Sequence, residues 1–291
     1  MRMAFTFVLT SVTIAGRSRA GTLCAVPGDS CRTSLIMRLL LLSDIHANLE
    51  ALEACLAAAP GYDRVVNLGD VVGYNASPNE VCEQIIAMGA PIVRGNHDRA
   101  CSGLMDLKEF NPVAAISAYW TRTTLKPEYL EWLKALPQGP MRRDDLPGLE
   151  FVHGAPLDED EYLLNTAAAD DNIELPGHAP LIFFGHTHIQ GGFVDEDGES
   201  RPFRPQYQSL AGPAKWTMWL TPGERYLINP GSVGQPRDSD WRAGFALYEH
   251  NGGPLASVTF YRIPYDIQKT QQRILSAQLP DRLAARLQIG R

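Results

Sequence analysis

The stretch that decides the fold is MRLLLLSDIHANLEALEACL, residues 37–56. Its first part, Leu39 to Leu42, is a continuous apolar run, which is typical of a strand buried on both faces. The run ends at Ser43-Asp44, and a helix capped by Asn48 is predicted to follow, with leucines at helical spacing. The sequence therefore predicts a strand and a helix joined by a short polar segment.

The same arrangement recurs downstream. Residues 62–70, YDRVVNLGD, and residues 90–98, APIVRGNHD, are predicted strands that also end in polar residues. A helix is predicted between them over residues 77–89, with Ser77 as the first residue of a capping box and Gly89 at its end. The first half then reads βαβαβ, and in open α/β sheets ligands bind beyond the carboxyl ends of the strands.

The second half of the chain changes character. Short strands are predicted at 149–156, 180–190, 223–234, 244–250 and 255–263, separated by Gly, Pro and Asp-Gly turns. Asp197-Gly198 suits a tight hairpin turn. Residues 104–136 predict a helical insertion, and we expect it to overhang the ligand-binding cleft at the carboxyl ends of the strands. The aromatic residues of the insertion are interpreted as packing residues. Two amphipathic helices near the carboxyl terminus are expected to cover the sheet.

Composition narrows the class of protein. A chain of 291 residues with 45% hydrophobic content can form one large domain or at most two. A net charge of −7 argues against a general nucleic-acid or anionic-membrane partner, although bound metal ions can still attract a phosphate substrate. The five cysteines show no C-x-x-C spacing, which favours reduced thiols in a cytoplasmic protein.

Residues 1–36 are interpreted separately from the rest. They predict a disordered extension or an upstream start-site assignment, with the working chain beginning near Met37. An export signal is the minority interpretation, and the apolar run is too short to span a membrane as a helix. We expect residues 37–291 to form a single domain.

Metal-ligating residue types recur at the predicted strand ends. Five of the seven histidines lie there, and the whole set is Asp44, His46, Asp70, Asn96, His97, Asp98, His153, His186 and His188. A lone histidine usually needs no functional explanation. Metal-ligating residue types at five predicted strand ends do need one. Imidazole nitrogen together with carboxylate oxygen suits divalent Zn, Mn or Fe.

Two such ions would explain the mixture of ligands. A carboxylate has two oxygens and can bridge two cations about 3.5–4 Å apart, which can clamp a phosphoryl group and deprotonate a shared water for attack on phosphorus. Gly69, Gly95, Gly154 and Gly185 are expected to let the backbone turn sharply beside the ions. The sequence therefore predicts a centre with two divalent metal ions.

The motifs are D-I-H at 44–46, G-D at 69–70, G-N-H-D at 95–98, H-G at 153–154 and G-H-T-H at 185–188. Together, and in this order, they resemble the calcineurin-like metallophosphoesterases over roughly residues 37–265. The resemblance implies an α/β (α+β) fold in four layers, α/β/β/α, in which a two-sheet β-sandwich is flanked by helices. It also implies a dinuclear metal centre at the strand ends.

The resemblance further implies a role for each motif residue. The implied ligand set has two groups joined by a bridging residue: Asp44, His46 and His188; Asn96, His153 and His186; and Asp70 as the bridge. His97 looks like the acid that protonates the leaving alkoxide, and Asp98 looks like the residue that orients the His97 ring.

Two segments bear on the substrate. GDVVGYN, residues 69–75, lacks the Asp-Arg-Gly of eukaryotic-type phosphoprotein phosphatases, although Arg94 matches their R-G-N-H pattern. INPGSVGQPRD, residues 228–238, resembles the small bacterial and archaeal branch, whose members hydrolyse phosphodiesters, sometimes cyclic nucleotides or model aryl phosphates. Within it, Gly231 and Ser232 are interpreted as a structural turn behind the metals.

Candidate substrate contacts are fewer and weaker, and they are Arg94, Tyr74, Arg237, Asn75 and Asn111. The acidic run at 158–161 is usually a solvated loop, and its alternative is a charged rim that disfavours polyanionic substrates.

We expect a metal-dependent phosphoesterase that hydrolyses a phosphodiester or a small phosphate ester. The alternatives are a serine/threonine-type protein phosphatase or a dinucleoside polyphosphate hydrolase, and, in another class, a non-catalytic scaffold of the same fold.

Overall fold

The structure is a computed structural model that describes residues 36–291, apart from the side chain of Glu109. Except for Ile36, the segment interpreted above as a terminal extension lies outside the described residues. Three of the five cysteines are described, and Cys55, Cys82 and Cys101 are buried free thiols. No helix in the described part of the chain is long and apolar enough to cross a membrane.

The helices and strands have the following bounds. The strands are β1 (Met37–Leu42), β2 (Arg64–Asn67), β3 (Leu149–Phe151), β4 (Leu181–Phe183), β5 (Gly191–Glu196), β6 (Glu199–Phe203), β7 (Ala214–Leu220), β8 (Tyr226–Asn229), β9 (Ala243–His250) and β10 (Ala256–Ile263). The helices are α1 (Leu49–Ala58), α2 (Pro78–Met88), α3 (Asn96–Ser102), α4 (Pro112–Thr124), α5 (Pro127–Lys134), α6 (Thr166–Ile173), α7 (Ile267–Ser276) and α8 (Asp281–Leu287).

The strands form two five-stranded sheets. The first has the order β2-β1-β9-β10-β7, and the second has the order β3-β4-β8-β5-β6. Pairing is parallel between β1 and β2 and among β3, β4 and β8, and antiparallel elsewhere. The parallel strands of both sheets are those that precede the polar motifs.

Strand β1 shows why the sheets are stacked between helices. Leu39 and Leu41 are fully buried among apolar side chains of both sheets, including Phe183 of β4. Leu40 and Leu42 point the other way and pack with residues of α1, while α6 packs on the outer face of the second sheet. Because successive side chains of a strand alternate in direction, a continuous apolar run joins two cores. The predicted α/β fold of two sheets flanked by helices is confirmed.

The third predicted strand is wrong. Residues 91–95 make only an isolated parallel bridge, between Ile92 and Asn67, and Asn96 begins helix α3. Not all backbone hydrogen bonds of this segment go to β2. The N–H of Val93 donates to the carbonyl oxygen of Asn67, but that of Arg94 donates to the carbonyl oxygen of Pro137 at 2.8 Å. The motif G-N-H-D therefore straddles the start of a helix.

The helix caps were predicted with mixed success. Asn48 caps α1 by accepting a hydrogen bond from the N–H of Ala51, and Gly89 ends α2 in the left-handed region. Ser77 stands at the N-cap of α2, but its hydroxyl makes no capping bond and has no hydrogen-bond partner among the described residues. The capping box predicted there is wrong.

The remaining elements include one omission and two corrections. Asp197-Gly198 does form the turn of the β5–β6 hairpin, with φ of 56° and 84°. Strand β7 was missed. Tyr119 is 62% exposed, so its interpretation as a packing residue is wrong. The carboxyl-terminal helices do not cover a sheet, since α7 lies on α1 and α8 packs with Tyr74.

Candidate metal centre

The candidate centre lies where the parallel strands of both sheets end. Strands β1, β2 and β4 lead into Asp44, Asp70 and His186, and β3 leads into His153. All four side chains are buried, with exposures of 3% or less. Residues from distant parts of the chain therefore meet at one edge of the sandwich.

The loops that carry these residues are held in an uncommon backbone conformation. Non-glycine residues occupy the left-handed region at five of the predicted ligands, with φ between 49° and 63°, namely Asp44, His46, Asp70, His186 and His188. Asp and His tolerate this region better than most residues, yet it still costs of order 1 kcal/mol each. Such strain is retained where the surrounding structure fixes it, which is common at functional sites.

We name as the first cluster Asp44, His46, Asp70 and His188. Their ligand atoms all lie within 4.8 Å of one another. The Nε2 atoms of His46 and His188 are 3.1 Å apart, and His188 Nε2 is 3.3 Å from a carboxylate oxygen of Asp44.

We name as the second cluster Asp70, His153 and His186, which meets the same distance limit. His153 Nε2 lies 3.4 Å from the amide oxygen of Asn96, which places that side chain beside the cluster. The Oδ2 atom of Asp70 is 3.4 Å from His46 Nε2 and 3.5 Å from His153 Nε2. Asp70 therefore links the two clusters, as the resemblance implies.

The tautomers of three imidazoles follow from their other ring nitrogen. The Nδ1 atoms of His46, His153 and His188 lie 3.1, 2.8 and 2.6 Å from backbone carbonyl oxygens, to which they donate. Each Nε2 is then directed into the centre, where its deprotonated form offers a lone pair to a cation. His186 differs, because its Nε2 lies 3.2 Å from the carbonyl oxygen of Asp160, which leaves Nδ1 as its ligand atom.

The donor atoms of the centre can be compared with what divalent cations need. Two Nε2 lone pairs that face each other at 3.1 Å repel, and a cation between them removes the repulsion. The Oδ2 atom of Asp70 is buried without a hydrogen-bond partner among the described residues, although buried carboxylate oxygens are normally bonded. Nitrogen and oxygen donors in this arrangement fit metal ions.

Charges in the centre are strongly coupled. Burial acts to raise the pKa of Asp70, but the imidazoles of His153, His97 and His46 outweigh it and hold that pKa well below its usual range. Burial acts to lower the pKa of His153, yet the carboxylate of Asp70 outweighs it and raises that pKa to about 10. The bridging position is thus kept anionic, as a cation site requires.

The glycines beside the centre serve two different purposes. Gly69 has a φ of +93°, so it makes the sharp turn that the sequence predicted. Gly95, Gly154 and Gly185 do not have a positive φ, so they make no such turn. A β-carbon at position 95 would lie 2.0 Å from Oδ1 of Asp70. Close approach of neighbouring groups, not a turn, is what these three positions require.

The role implied for Asp98 is wrong in its geometry. Its carboxylate accepts hydrogen bonds from the N–H groups of Asp70, Val71 and Gly95, each at 2.9 Å, and no bond to the His97 ring is present. Asp98 therefore holds the loop that carries Asp70. A carboxylate surrounded by buried N–H groups binds them in preference to a more distant ring.

His97 lies between the centre and the helical insertion. Its ring centroid is 4.9 Å from that of His46, 4.3 Å from that of Tyr74 and 4.8 Å from that of Phe110. Its Nδ1 atom is buried without a hydrogen-bond partner among the described residues. Burial lowers the pKa of His97 to about 4. The insertion therefore does border the site, through Phe110.

Two of the candidate substrate contacts adjoin the centre. Tyr74 packs on His97 and on His46, and the terminal Nη2 of Arg237 donates to its hydroxyl at 3.3 Å. The backbone N–H of Arg237 donates to the carbonyl oxygen of His188. A phosphoryl group at the centre would therefore have a guanidinium group nearby.

The other three candidates have structural partners. Arg94 forms an ion pair with Glu159 at 2.8 Å. Asn75 donates its amide to the carbonyl oxygen of His46, and Asn111 caps α4. Asn75 and Asn111 thus have structural roles, and their part in substrate binding stays a prediction.

The interpretation of 158–161 as a solvated loop is wrong. Glu159 also pairs with Arg99 at 2.8 Å, and the carbonyl oxygen of Asp160 holds His186. The next residue in the chain, Tyr162, stacks on His186 with ring centroids 3.8 Å apart. Sequence reasoning missed Arg99 and Tyr162, and the signal that could have pointed to Arg99 was the run of acidic residues at 158–161.

The interpretation of Gly231 and Ser232 as a structural turn agrees with the geometry. Gly231 has a φ of +85°, and the hydroxyl of Ser232 donates to the carbonyl oxygen of Asp44 at 2.8 Å. The turn therefore supports the first cluster from behind.

Comparison with known proteins places these features in context. A family model described as the calcineurin-like phosphoesterase superfamily domain matches residues 37–253. An uncharacterised protein from Methanocaldococcus jannaschii is 35% identical over 257 residues, which cover 86% of this chain and 97% of that protein.

Solved structures show the same similarity. A metallophosphoesterase from Sphaerobacter thermophilus is 38% identical, with a TM-score of 0.73 over 88% of this chain and 100% of that one. A hypothetical protein from Pyrococcus horikoshii shares the fold at 18% identity, with a TM-score of 0.67 over 88% of this chain and 99% of that one.

Proposed function

Because the chain belongs to the calcineurin-like phosphoesterase superfamily, we propose that it hydrolyses a phosphodiester or a small phosphate ester with two divalent cations. One observation carries the proposal. The buried Oδ2 atom of Asp70 lies 3.4 Å from His46 Nε2 and 3.5 Å from His153 Nε2. A carboxylate oxygen between two inward-facing imidazoles is the arrangement that a shared ligand of two metals needs.

The proposed ligands form one group for each ion. Asp44, His46 and His188 would hold one, and the second would be held by Asn96, His153 and His186, with Asp70 between them. Bound divalent ions would polarise the phosphoryl group and lower the pKa of a water molecule. Mn, Fe and Zn all suit these nitrogen and oxygen donors.

His97 and Arg237 would act on the ester itself. A neutral imidazole still carries one N–H, so His97 can donate a hydrogen bond to the leaving oxygen, and it can donate a proton once the ring has itself been protonated. Its ring touches both a predicted ligand, His46, and the aromatic wall formed by Tyr74 and Phe110. The guanidinium of Arg237 would hold a phosphoryl oxygen.

A small ester suits this cleft better than a protein substrate. Tyr74, Phe110 and Tyr162 surround the histidines closely, with ring separations between 3.8 and 4.8 Å. The Asp-Arg-Gly sequence typical of phosphoprotein phosphatases is also missing after Gly69-Asp70.

Metal analysis combined with a substrate panel tests the proposal. We expect two divalent ions per chain and Mn²⁺-dependent hydrolysis of bis(4-nitrophenyl) phosphate in preference to a phosphopeptide. The panel also contains cyclic nucleotides and dinucleoside polyphosphates. His250→Ala serves as a control, because His250 lies outside the centre on β9. A chain that binds two metals and hydrolyses none of these esters would contradict the proposal.

A further inference from the structure

A second cationic group adjoins the candidate centre, and it comes from the last helix. Arg286 lies on α8, far along the chain from every motif residue. Its guanidinium carbon is 5.7 Å from the ring centroid of Tyr74, and that of Arg237 is 5.8 Å from the same centroid. Because Tyr74 packs directly on His97, Arg286 is one aromatic ring away from the reacting groups.

Neither guanidinium forms an ion pair with an Asp or Glu side chain that the structure describes. The acidic residues nearest to Arg237 in sequence are Asp238 and Asp240, and they pair with Arg262 and Arg242. No ion pair within residues 36–291, leaving aside the side chain of Glu109, includes Arg237 or Arg286. Arg237 and Arg286 thus place two positive charges beside the same aromatic ring in a protein of net charge −7, and a bound anion would pair with them.

Each arginine keeps N–H groups without an acceptor among the described residues, although Nη2 of Arg237 donates to Tyr74 and Gln235. The Nε of Arg237 is buried without a partner among the described residues. The Nε of Arg286 donates to the carbonyl oxygen of Arg291, and none of its terminal nitrogens donates to an acceptor in the part of the chain described. Burial, and then the charge of Arg237, lower the pKa of Arg286, so a bound anion would relieve both effects.

We propose that Arg286 binds a second phosphate group of the substrate, next to the phosphoryl group that Arg237 would hold at the metal centre. This inference rests on the proposed function, in which the first phosphate lies at the metal centre. The substrate class is then a phosphoester with two or more phosphoryl groups, as in nucleoside polyphosphates. Guanidinium groups bind phosphate oxygens through paired N–H donors, which gives Arg286 the geometry that the role requires.

Two of the four acidic residues at 158–161 are paired with arginines, which reduces the repulsion that the run would exert on such a substrate. Glu159 is paired with Arg94 and Arg99, and Asp160 is paired with Arg99. Their charges are therefore largely balanced within the structure.

Phosphate chains of increasing length test the inference by binding alone. The full chain as purified is titrated calorimetrically with orthophosphate, pyrophosphate and tripolyphosphate at 0.15 M salt, where long-range attraction is screened. We expect tripolyphosphate to bind about tenfold more tightly than orthophosphate, the effect of one charge-assisted contact. In Arg286→Gln this ratio should fall to nearly one.

Two variants keep the result specific. Arg286→Lys should retain part of the gain, because the charge remains while the paired donors are lost. Arg282→Gln removes the same charge from an exposed position one turn earlier on α8, and it should retain the full ratio. Unfolding curves of all three variants establish that they are folded.

The outcomes separate this inference from the proposed function. An equal loss of affinity for all three anions in Arg286→Gln would assign Arg286 to the first phosphate and overturn the inference. An unchanged ratio in Arg286→Gln, or no gain with chain length in the wild type, would overturn it as well. Failure of the proposed function would instead appear as intact esters in the substrate panel, while the binding ratio is retained.

Discussion

The two clusters of the candidate centre are held in place by different means. In the first cluster, both histidines donate their Nδ1–H to backbone carbonyl oxygens of buried loops. In the second cluster, His153 shares this arrangement but His186 does not. His186 binds the carbonyl oxygen of Asp160, and Tyr162, which is 43% exposed, stacks on its ring.

The support behind His186 extends to partly exposed ion pairs. The segment that carries Asp160 is fixed by Glu159, whose carboxylate pairs with Arg94 and Arg99. The first cluster thus depends on backbone that forms with the sheets, while the second also depends on side chains near solvent. If both clusters bind a metal as proposed, the two sites should differ in affinity, and the second should be open to weakening alone.

The largest effect should follow a change at the residue that both clusters share. Asp70→Asn removes the bridging charge, so we expect hydrolysis to fall by about a thousandfold or more and both metals to bind more weakly. Turnover and metal content are the measurements. If one metal were retained at wild-type affinity, the view of Asp70 as a bridge would be wrong.

A change at His97 should separate chemistry from metal binding. Because His97 belongs to neither cluster, His97→Ala should lower turnover by about a hundredfold or more and leave two metals bound. His97→Asn keeps an N–H donor and should be the less impaired of the two. Equal losses of turnover and metal content would count against the role given to His97.

A change at Asp98 tests whether its carboxylate holds the loop that carries Asp70. Asp98→Asn removes the charge that accepts three buried N–H groups, so we expect the free energy of unfolding to fall by about 2–3 kcal/mol. Urea denaturation of the metal-free chain measures this change. His97→Ala is the matched comparison. Were Asp98 to act only by orienting His97, the two variants would share their kinetic defect and Asp98→Asn would keep wild-type stability.

The smallest effect should be confined to the second cluster. Glu159→Gln loosens the support of His186, and we expect the weaker of two Mn²⁺ binding steps to lose about tenfold in affinity while the tighter step stays unchanged. A two-step binding isotherm measures both. Asp171→Asn, on the exposed side of α6, is the charge-matched control. A similar shift in both steps would remove the distinction between the clusters.

Much of this arrangement could be predicted from the sequence because it follows from short-range patterns. Four consecutive leucines from Leu39 to Leu42 suffice to predict a strand buried on two faces. A strand with one face in solvent would alternate apolar and polar residues instead. The convergence of the motif residues follows from their positions at strand ends. The family comparison confirms the fold, and the roles of individual ligands remain proposals.

What the sequence did not reveal depends on distant contacts. The partners of Asp98 are backbone N–H groups of another loop, and no residue pattern records which N–H groups will face a carboxylate. Residues 91–95 have the composition of a strand, but the N–H of Arg94 bonds outside the sheet. Tyr162 reaches His186 from a loop, and Arg286 reaches Tyr74 from a terminal helix, and neither segment carries a motif.

Packing against the centre is very close at Gly95. One carboxylate oxygen of Asp70 occupies the space that a β-carbon at position 95 would fill, 2.0 Å away. A single added methyl group would thus push the bridging carboxylate aside while every ligand stayed in the sequence. A chain could then carry the whole family signature of metal-binding residues and still have lost the geometry for which they are arranged.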